Sequence, residues 1–150
     1  MYVYQAAILN DLDEVTELEA RLHSSHGHDD LREEINSILR NINDNRIFLC
    51  RDGGHPIGFA HVALRREYVE GTSGTRNGAV GYLEGIYVEP EYQKQGIARE
   101  LVALCENWAR DNNCAEFASD CKLDNTDSLK FHLKIGFTEA GRNIHFVKKL

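Results

Sequence analysis

The sequence predicts one α/β domain built on a mixed sheet, and three observations carry that prediction. Apolar residues alternate along the chain between strand-like and helix-like spacing, so strands and helices interleave. No linker, repeat or low-complexity tract interrupts the 150 residues, a length that buries a core without disulfide or metal staples. The apolar run Tyr82-Leu83-Glu84-Gly85-Ile86-Tyr87-Val88 is broken at Pro90 and followed by Gln93-Lys94-Gln95-Gly96-Ile97-Ala98, a small-residue turn that opens a helix.

In chain order, Val3 to Ile8 reads as the first strand. Asp11 and Glu14 have the spacing of a capping box before a helix carrying Val15, Leu18 and Leu22. The polar stretch from His23 to Asp30 is a loop. A second helix over Asp30 to Asn41 places Leu31, Ile35, Ile38 and Leu39 on one face. Ile47 to Cys50 is a strand, Asp52-Gly53-Gly54 a hairpin turn, and Ile57 to Tyr68 a longer strand. The composition of Gly71 to Gly78 is that of a surface loop. Ala79 to Val88 is the central strand. The next helix shows a buried stripe of Ile97, Leu101, Leu104, Cys105 and Trp108 and ends near Asn112-Asn113. Cys114 to Ser119 is a strand and Asn125 to Lys134 a helix that Gly136 closes. Phe137 to Glu139 and Asn143 to Val147 are expected as the last strands.

Composition narrows the function classes. A net charge of −7 opposes nucleic-acid binding, which needs a basic face, and suits a cationic small-molecule ligand. No apolar run is long enough to span a membrane, so no membrane partner is expected. Met1-Tyr2-Val3-Tyr4-Gln5 lacks the basic and apolar regions of a signal peptide, which points to the cytoplasm. Cys50, Cys105, Cys114 and Cys121 form no C-x-x-C pair and read as free thiols. His23, His26 and His28 lie beside Asp29 and Asp30, but no second cluster completes a metal site, so no metal is expected. Trp108 falls on an apolar stripe and reads as core.

The turn Gln93–Ala98 has a chemical reading of its own. A helix start presents unpaired backbone N–H groups and the positive end of the helix dipole, which together bind an anion such as a diphosphate. The pattern Gln/Arg-x-x-Gly-x-Gly/Ala after a strand resembles the acyl-CoA pyrophosphate loop of the GNAT N-acyltransferase superfamily. That resemblance implies acetyl-CoA as co-substrate. It also implies the GNAT fold, a mostly antiparallel twisted sheet flanked by helices, whose central strands splay to admit the pantetheine arm. The order of cradle, strand end Ala118-Ser119-Asp120 and short helix ending in Gly136-Phe137 agrees with it.

Within the superfamily, several segments look like the aminoglycoside 6′-N-acetyltransferases. They are Tyr68-Val69-Glu70-Gly71, Leu83-Glu84-Gly85-Ile86, Ala118-Ser119-Asp120, Asp124-Asn125 and Phe131-His132 before Ile135-Gly136-Phe137. Acetylation needs a neutral amine, whereas an alkylamine has a pKa of about 10.4, so a base must take the ammonium proton directly or through water. Glu84 lies in an otherwise apolar strand, a costly place for a charge, and Asp120 lies where the neighbouring strand ends. Glu84 is the expected water-mediated base and Asp120 the amine-holding acid, although either carboxylate suits either role.

By resemblance, the backbone N–H of Tyr87 or Val88 faces the thioester oxygen, the pantetheine arm runs beside Ile86 to Val88, and Asn125 and Ser128 face the cofactor. His132 occupies the place where many GNAT enzymes carry the tyrosine that protonates the thiolate. Tyr68, Glu70 and Glu139, with Glu84 and Asp120, would line the amine site. Two positions depart from the branch: Leu22-His23-Ser24 stands where relatives carry Trp-Pro, and Gly141 precedes Arg142 where many carry an acid. Only Cys121 lies in the matched segments, which favours direct transfer over an acetyl-cysteine. Dimerisation is implied by resemblance alone. A GNAT enzyme for a polyamine or a protein amine, or a non-enzymatic acyl-CoA binder, are the competing readings.

Overall fold

The computed structural model describes residues 1–23, 27–73 and 78–150. It contains β1 (Tyr2–Ala6), α1 (Leu12–Leu22), α2 (His28–Arg40), β2 (Asn45–Asp52), β3 (His55–Arg65), β4 (Val80–Val88), α3 (Ile97–Asp111), β5 (Phe117–Ala118) and α4 (Thr126–Lys134). The strands form one sheet in the order β1-β2-β3-β4-β5. The first four are antiparallel, and β5 joins β4 in parallel, so the sheet is mixed as expected.

Helices cover both faces. Leu12, Val15 and Leu18 of α1 and Leu31, Ile35 and Leu39 of α2 pack with Ile47, Leu49 and Phe59. On the other face Ile97, Leu101, Val102 and Cys105 of α3 pack with Cys50, Ile57, Ala60, Val62, Leu83 and Val88. The close approach of α3 rests on Gly81, where a Cβ would stand 2.6 Å from the Ala109 Cβ. Trp108 packs against this second cluster, half-buried. Arg21 of α1 pairs with buried Glu89 just past β4 and ties the two elements together.

A β-bulge sets the central strand. His61 pairs with Gly85 and Val62 with Leu83, so Glu84 is the extra residue. Because strand side chains alternate with period two, one inserted residue reverses the facing of everything beyond it. Leu83 therefore shares the α3 face with Ile86 and Val88, while Tyr87 packs toward α1 and α2.

Four expectations are corrected. Asp11 does not cap α1: it ends a short 3₁₀ turn, its carboxylate accepts the Ile8 N–H at 2.9 Å, and it pairs with Arg51 at 2.8 Å, as Glu14 does at 2.6 Å. The strand expected to reach Tyr68 ends at Arg65, because its partner begins at Val80, opposite Arg65. The strand expected over Cys114 to Ser119 shrinks to Phe117–Ala118, paired only with Gly81 and Tyr82. The strands expected over Phe137 to Glu139 and Asn143 to Val147 are absent, and residues 137–150 carry no regular secondary structure. A strand exists only against a neighbour, and no strand of the described residues pairs with β5 beyond β4. The loop expectation at Gly71 to Gly78 lies partly outside the described residues, as does His26.

Candidate active site

The anion cradle has the local structure its sequence implies. Gly96 precedes α3 with φ +85° and ψ 4°, a left-handed conformation that glycine tolerates. Lys94 also has positive φ, at 62°, a strained value for a residue with a Cβ. Two left-handed residues in one turn aim successive amides into a common concavity. The first intrahelical bond runs from Glu100 N–H to the Gly96 carbonyl, so the amides of Ile97, Ala98 and Arg99 have no acceptor within the helix. Ile97 itself is buried and anchors the turn. The Gln93 side chain donates to the Val88 carbonyl at 3.1 Å, and Tyr2 Oη donates to Gln95, which fastens the turn to β4 and β1. This set of amides fits a diphosphate.

β4 and β5 pair over only two residues and then part, so the central strands splay as expected. Beyond Tyr82, the edge of β4 facing β5 has no strand partner among the described residues. Glu89 N–H bonds the Ile57 carbonyl at 2.8 Å. Amides alternate along a strand, so Ile86 and Val88 point into the gap while Tyr87 points at β3. Of the two amides considered for the thioester oxygen, Val88 is the one directed into the opening.

Glu84 is half-buried and lines a cleft of about 220 Å³ between α1, α2 and the sheet. Glu19, His23, Glu34 and His61 share that cleft with it. Glu19 is buried, and burial together with the Glu34 charge pushes its carboxyl up to about 7. His23 stands 3.5 Å from it. His61 is buried and bonded to the Asn45 Oδ1 at 2.9 Å, and burial pushes its imidazole down to about 4. Glu84, the extra residue of the bulge, faces this cleft.

Asp120 is exposed at the end of β5 and accepts a hydrogen bond from Tyr82 Oη. The Tyr82 hydroxyl is held above its ordinary value by burial and by that carboxylate. Arg65 links the two carboxylate sites. Its Nε and Nη2 donate to Glu84 Oε1 at 2.8 and 2.5 Å, Nη2 reaches Oε2 at 2.9 Å, and its Cζ lies 3.5 Å from the Tyr82 ring centroid.

His132 of α4 contacts the end of β5. Its Nδ1 lies 2.7 Å from the Ser128 carbonyl oxygen, which only accepts, so Nδ1 carries a proton. In the neutral ring Nε2 then accepts from Ser119 Oγ at 2.8 Å. Phe131 and Phe137 flank the ring. Asn125 accepts the Ser128 N–H at 3.1 Å and is the N-cap of α4.

The expected amine wall is partly assembled. Tyr68 and Glu70 are exposed beyond β3. A Cβ on Gly71 would meet the Ala140 Cβ at 2.2 Å, and one on Gly141 would meet Glu70 Oε1 at 3.3 Å, so the segments around Glu70 and Gly141 lie together. An acid at position 141 would start from a Cβ 3.3 Å from Glu70 Oε1, so glycine there avoids placing a like charge against that carboxylate. Glu139 bonds Arg142, which holds its carboxyl below the ordinary value. Among the described residues no group of three metal-ligating side chains converges.

Sequence reasoning missed Arg65, Tyr82, Glu19 and His61. Two left signals. Glu19 lies three and four residues after Thr16 and Val15, on the buried stripe of α1, and His61 interrupts an apolar strand. Arg65 carried none, because its partner is set by the bulge.

Comparison with known proteins agrees with this geometry. A curated relative from Stenotrophomonas maltophilia, an aminoglycoside N(6′)-acetyltransferase type 1, is 37% identical over 118 residues, 79% of this chain and 75% of its own. One of the same name from Serratia marcescens is 34% identical over 141 residues, 94% of each chain. The solved structure of AAC(6′)-Iy with the bisubstrate analogue CoA-S-monomethyl-acetylneamine superposes with a TM-score of 0.92 at 30% identity, covering 100% of this chain and 99% of that one. AAC(6′)-Ih from Acinetobacter baumannii gives 0.89 at 32% identity, covering 100% and 99%. With the cradle, the splayed strands and a match of the family model to residues 12–137, the chain belongs to the Acetyltransferase (GNAT) family.

Proposed function

We infer that this chain acetylates the 6′-amine of aminoglycosides with acetyl-CoA by direct transfer in a ternary complex, an activity that confers antibiotic resistance. The observation that carries the reading is Glu84. A bulge in the central strand puts this carboxylate in a cleft shared with Glu19 and Glu34, on the strand that parts from β5 beyond Tyr82, where the pantetheine arm would run.

The amides at the start of α3, with Gln93, Lys94 and Gln95, would hold the diphosphate, and Asn125 and Ser128 would face the arm. Bound acetyl-CoA supplies the acetyl group as a thioester. The Val88 amide would stabilise charge on the thioester oxygen. Glu84 would take the ammonium proton through a water, and Asp120 would hold the amine. His132 would hydrogen-bond the departing sulfur, with Tyr68, Glu70 and Glu139 closing the amine site.

The test is thiol release from acetyl-CoA with kanamycin, tobramycin, spermidine and a lysine peptide. Turnover with 6′-amino aminoglycosides and none with analogues lacking that amine is expected. Turnover with spermidine or peptide alone would keep the cofactor site and reject the antibiotic.

The reading extends to a cytoplasmic homodimer of single-domain chains. Acetyl-CoA is a cytoplasmic metabolite, and Cys50, Cys105, Cys114 and Cys121 are free thiols. Ile144, Phe146, Val147 and Leu150 are 80%, 91%, 96% and 115% exposed, in an arm that pairs with no strand among the described residues. A second copy is the occupant that would bury this arm, by strand addition at the edge beyond β5. Light scattering on the full chain is expected to give a dimer, and Phe146→Asp with Val147→Lys a monomer.

A further inference from the structure

We propose that Arg65 is an internal stand-in for the acceptor's cation: it occupies Glu84 in the free enzyme and must be displaced when the amine binds. The inference rests on the proposed amine-acetylating function and adds a positioning residue to it.

The geometry is that of a substrate mimic. A guanidinium grips Glu84 through a bidentate fork at 2.5 to 2.9 Å, using both carboxylate oxygens. Those are the lone pairs a base needs for a water or an ammonium. The same guanidinium lies on the Tyr82 ring, 3.5 Å from its centroid, and Tyr82 Oη donates to Asp120. One cation thus engages the first carboxylate directly and the hydrogen-bond partner of the second. Both groups assigned to the amine are occupied from within the chain.

Arg65 is also placed to leave. It is the last residue of β3, opposite Val80, and among the described residues the ladder with β4 ends there. Its side chain is 43% exposed against 21% for Glu84, so water can solvate the released guanidinium. Arginine keeps its charge at any working pH, so the pair does not release by losing a proton from the guanidinium, and a competing cation is what displaces it from the Glu84 carboxylate. An acceptor with several ammonium groups can offer one to Glu84 while others hold elsewhere in the acidic cleft. A monoamine must displace Arg65 alone. Arg65 therefore acts as a selectivity filter for polycations.

The experiment compares the parent with Arg65→Gln and Arg65→Lys. For Arg65→Gln the acceptor KM is expected to fall about two- to fivefold, the scale of a partly exposed ion pair. The acetyl-CoA KM stays unchanged, and monoamine acceptors gain more than polyamines. Arg65→Lys, a point charge without the fork, falls between. The difference shrinks as ionic strength rises. In the parent, the Arg65 Nε–H resonance, identified by its loss in Arg65→Lys, shifts when acceptor is added. An acceptor KM that rises or stays constant while kcat falls, or an unmoved resonance, would overturn the proposal and make Arg65 a fixed strut for Glu84. If the parent acetylates a different amine, the same comparison is made with that amine, so the two readings fail separately.

Discussion

Glu19 offers a quantitative test of how the acceptor cleft is built. Its carboxyl titrates at about 7 in the folded chain and at about 4.5 when unfolded, because burial and the Glu34 charge penalise the anion. Between those values the folded protein keeps a proton that the unfolded chain has released, so stability falls as pH rises. From pH 5 to pH 8 that amounts to about 2.5 kcal/mol at 1.36 kcal/mol per pH unit, as an order of magnitude. The facing groups are His23 just past the end of α1, Glu34 of α2, His61 of β3 and Glu84 of β4. His61 has the opposite effect. It is neutral down to about 4 when folded and takes a proton near 6.5 when unfolded, so stability falls as pH drops through that range. Below about 6.5 the two slopes oppose; above it Glu19 acts alone.

Glu19→Gln keeps the shape and removes the titration. Relative to the parent, the variant is expected to gain about 2.5 kcal/mol between pH 5 and pH 8, roughly 5–10 °C in Tm for a chain of this size. The assay is urea unfolding at half-unit intervals of pH, with Tm as a second readout. Below pH 6.5 the variant also unmasks the His61 slope. If the parent and variant curves run parallel from pH 5 to 8, the buried-carboxylate reasoning is wrong.

Other expectations follow from the same geometry. Glu84→Gln should lower kcat by about 10²- to 10⁴-fold with little change in the acetyl-CoA KM, and retained turnover in a stopped-time thiol assay would remove it as the base. Asp120→Asn should raise the acceptor KM more than it lowers kcat, because it keeps the Tyr82 contact and loses only charge. Gly81→Ala places a Cβ 2.6 Å from Ala109 and 3.0 Å from Phe117, so α3 must shift from the sheet at a cost of about 1–3 kcal/mol, measurable as a lower denaturant midpoint.

Local chemistry made much of this protein legible in its sequence. The stripes of α1, α2 and α3 follow from helical spacing, and the Gly96 turn and the Asn125 cap follow from residue type, because each depends on neighbours a few positions away. Glu84 was visible as a charge in an apolar strand. Tertiary structure alone decided how these parts act. The bulge that turns Glu84 into the cleft is a mismatch between β3 and β4, and neither strand shows it singly. Arg65 meets Glu84 across that mismatch, and Tyr82 meets Asp120 across a parallel pairing that lasts two residues. The last strands failed for the same reason. The spacing around Ile144 and Phe146 permits a strand, but a strand requires a ladder partner, and none of the described residues supplies one. Sequence specifies what a segment can become, while pairing and burial are properties of two segments together, and those settle which side chains face the chemistry.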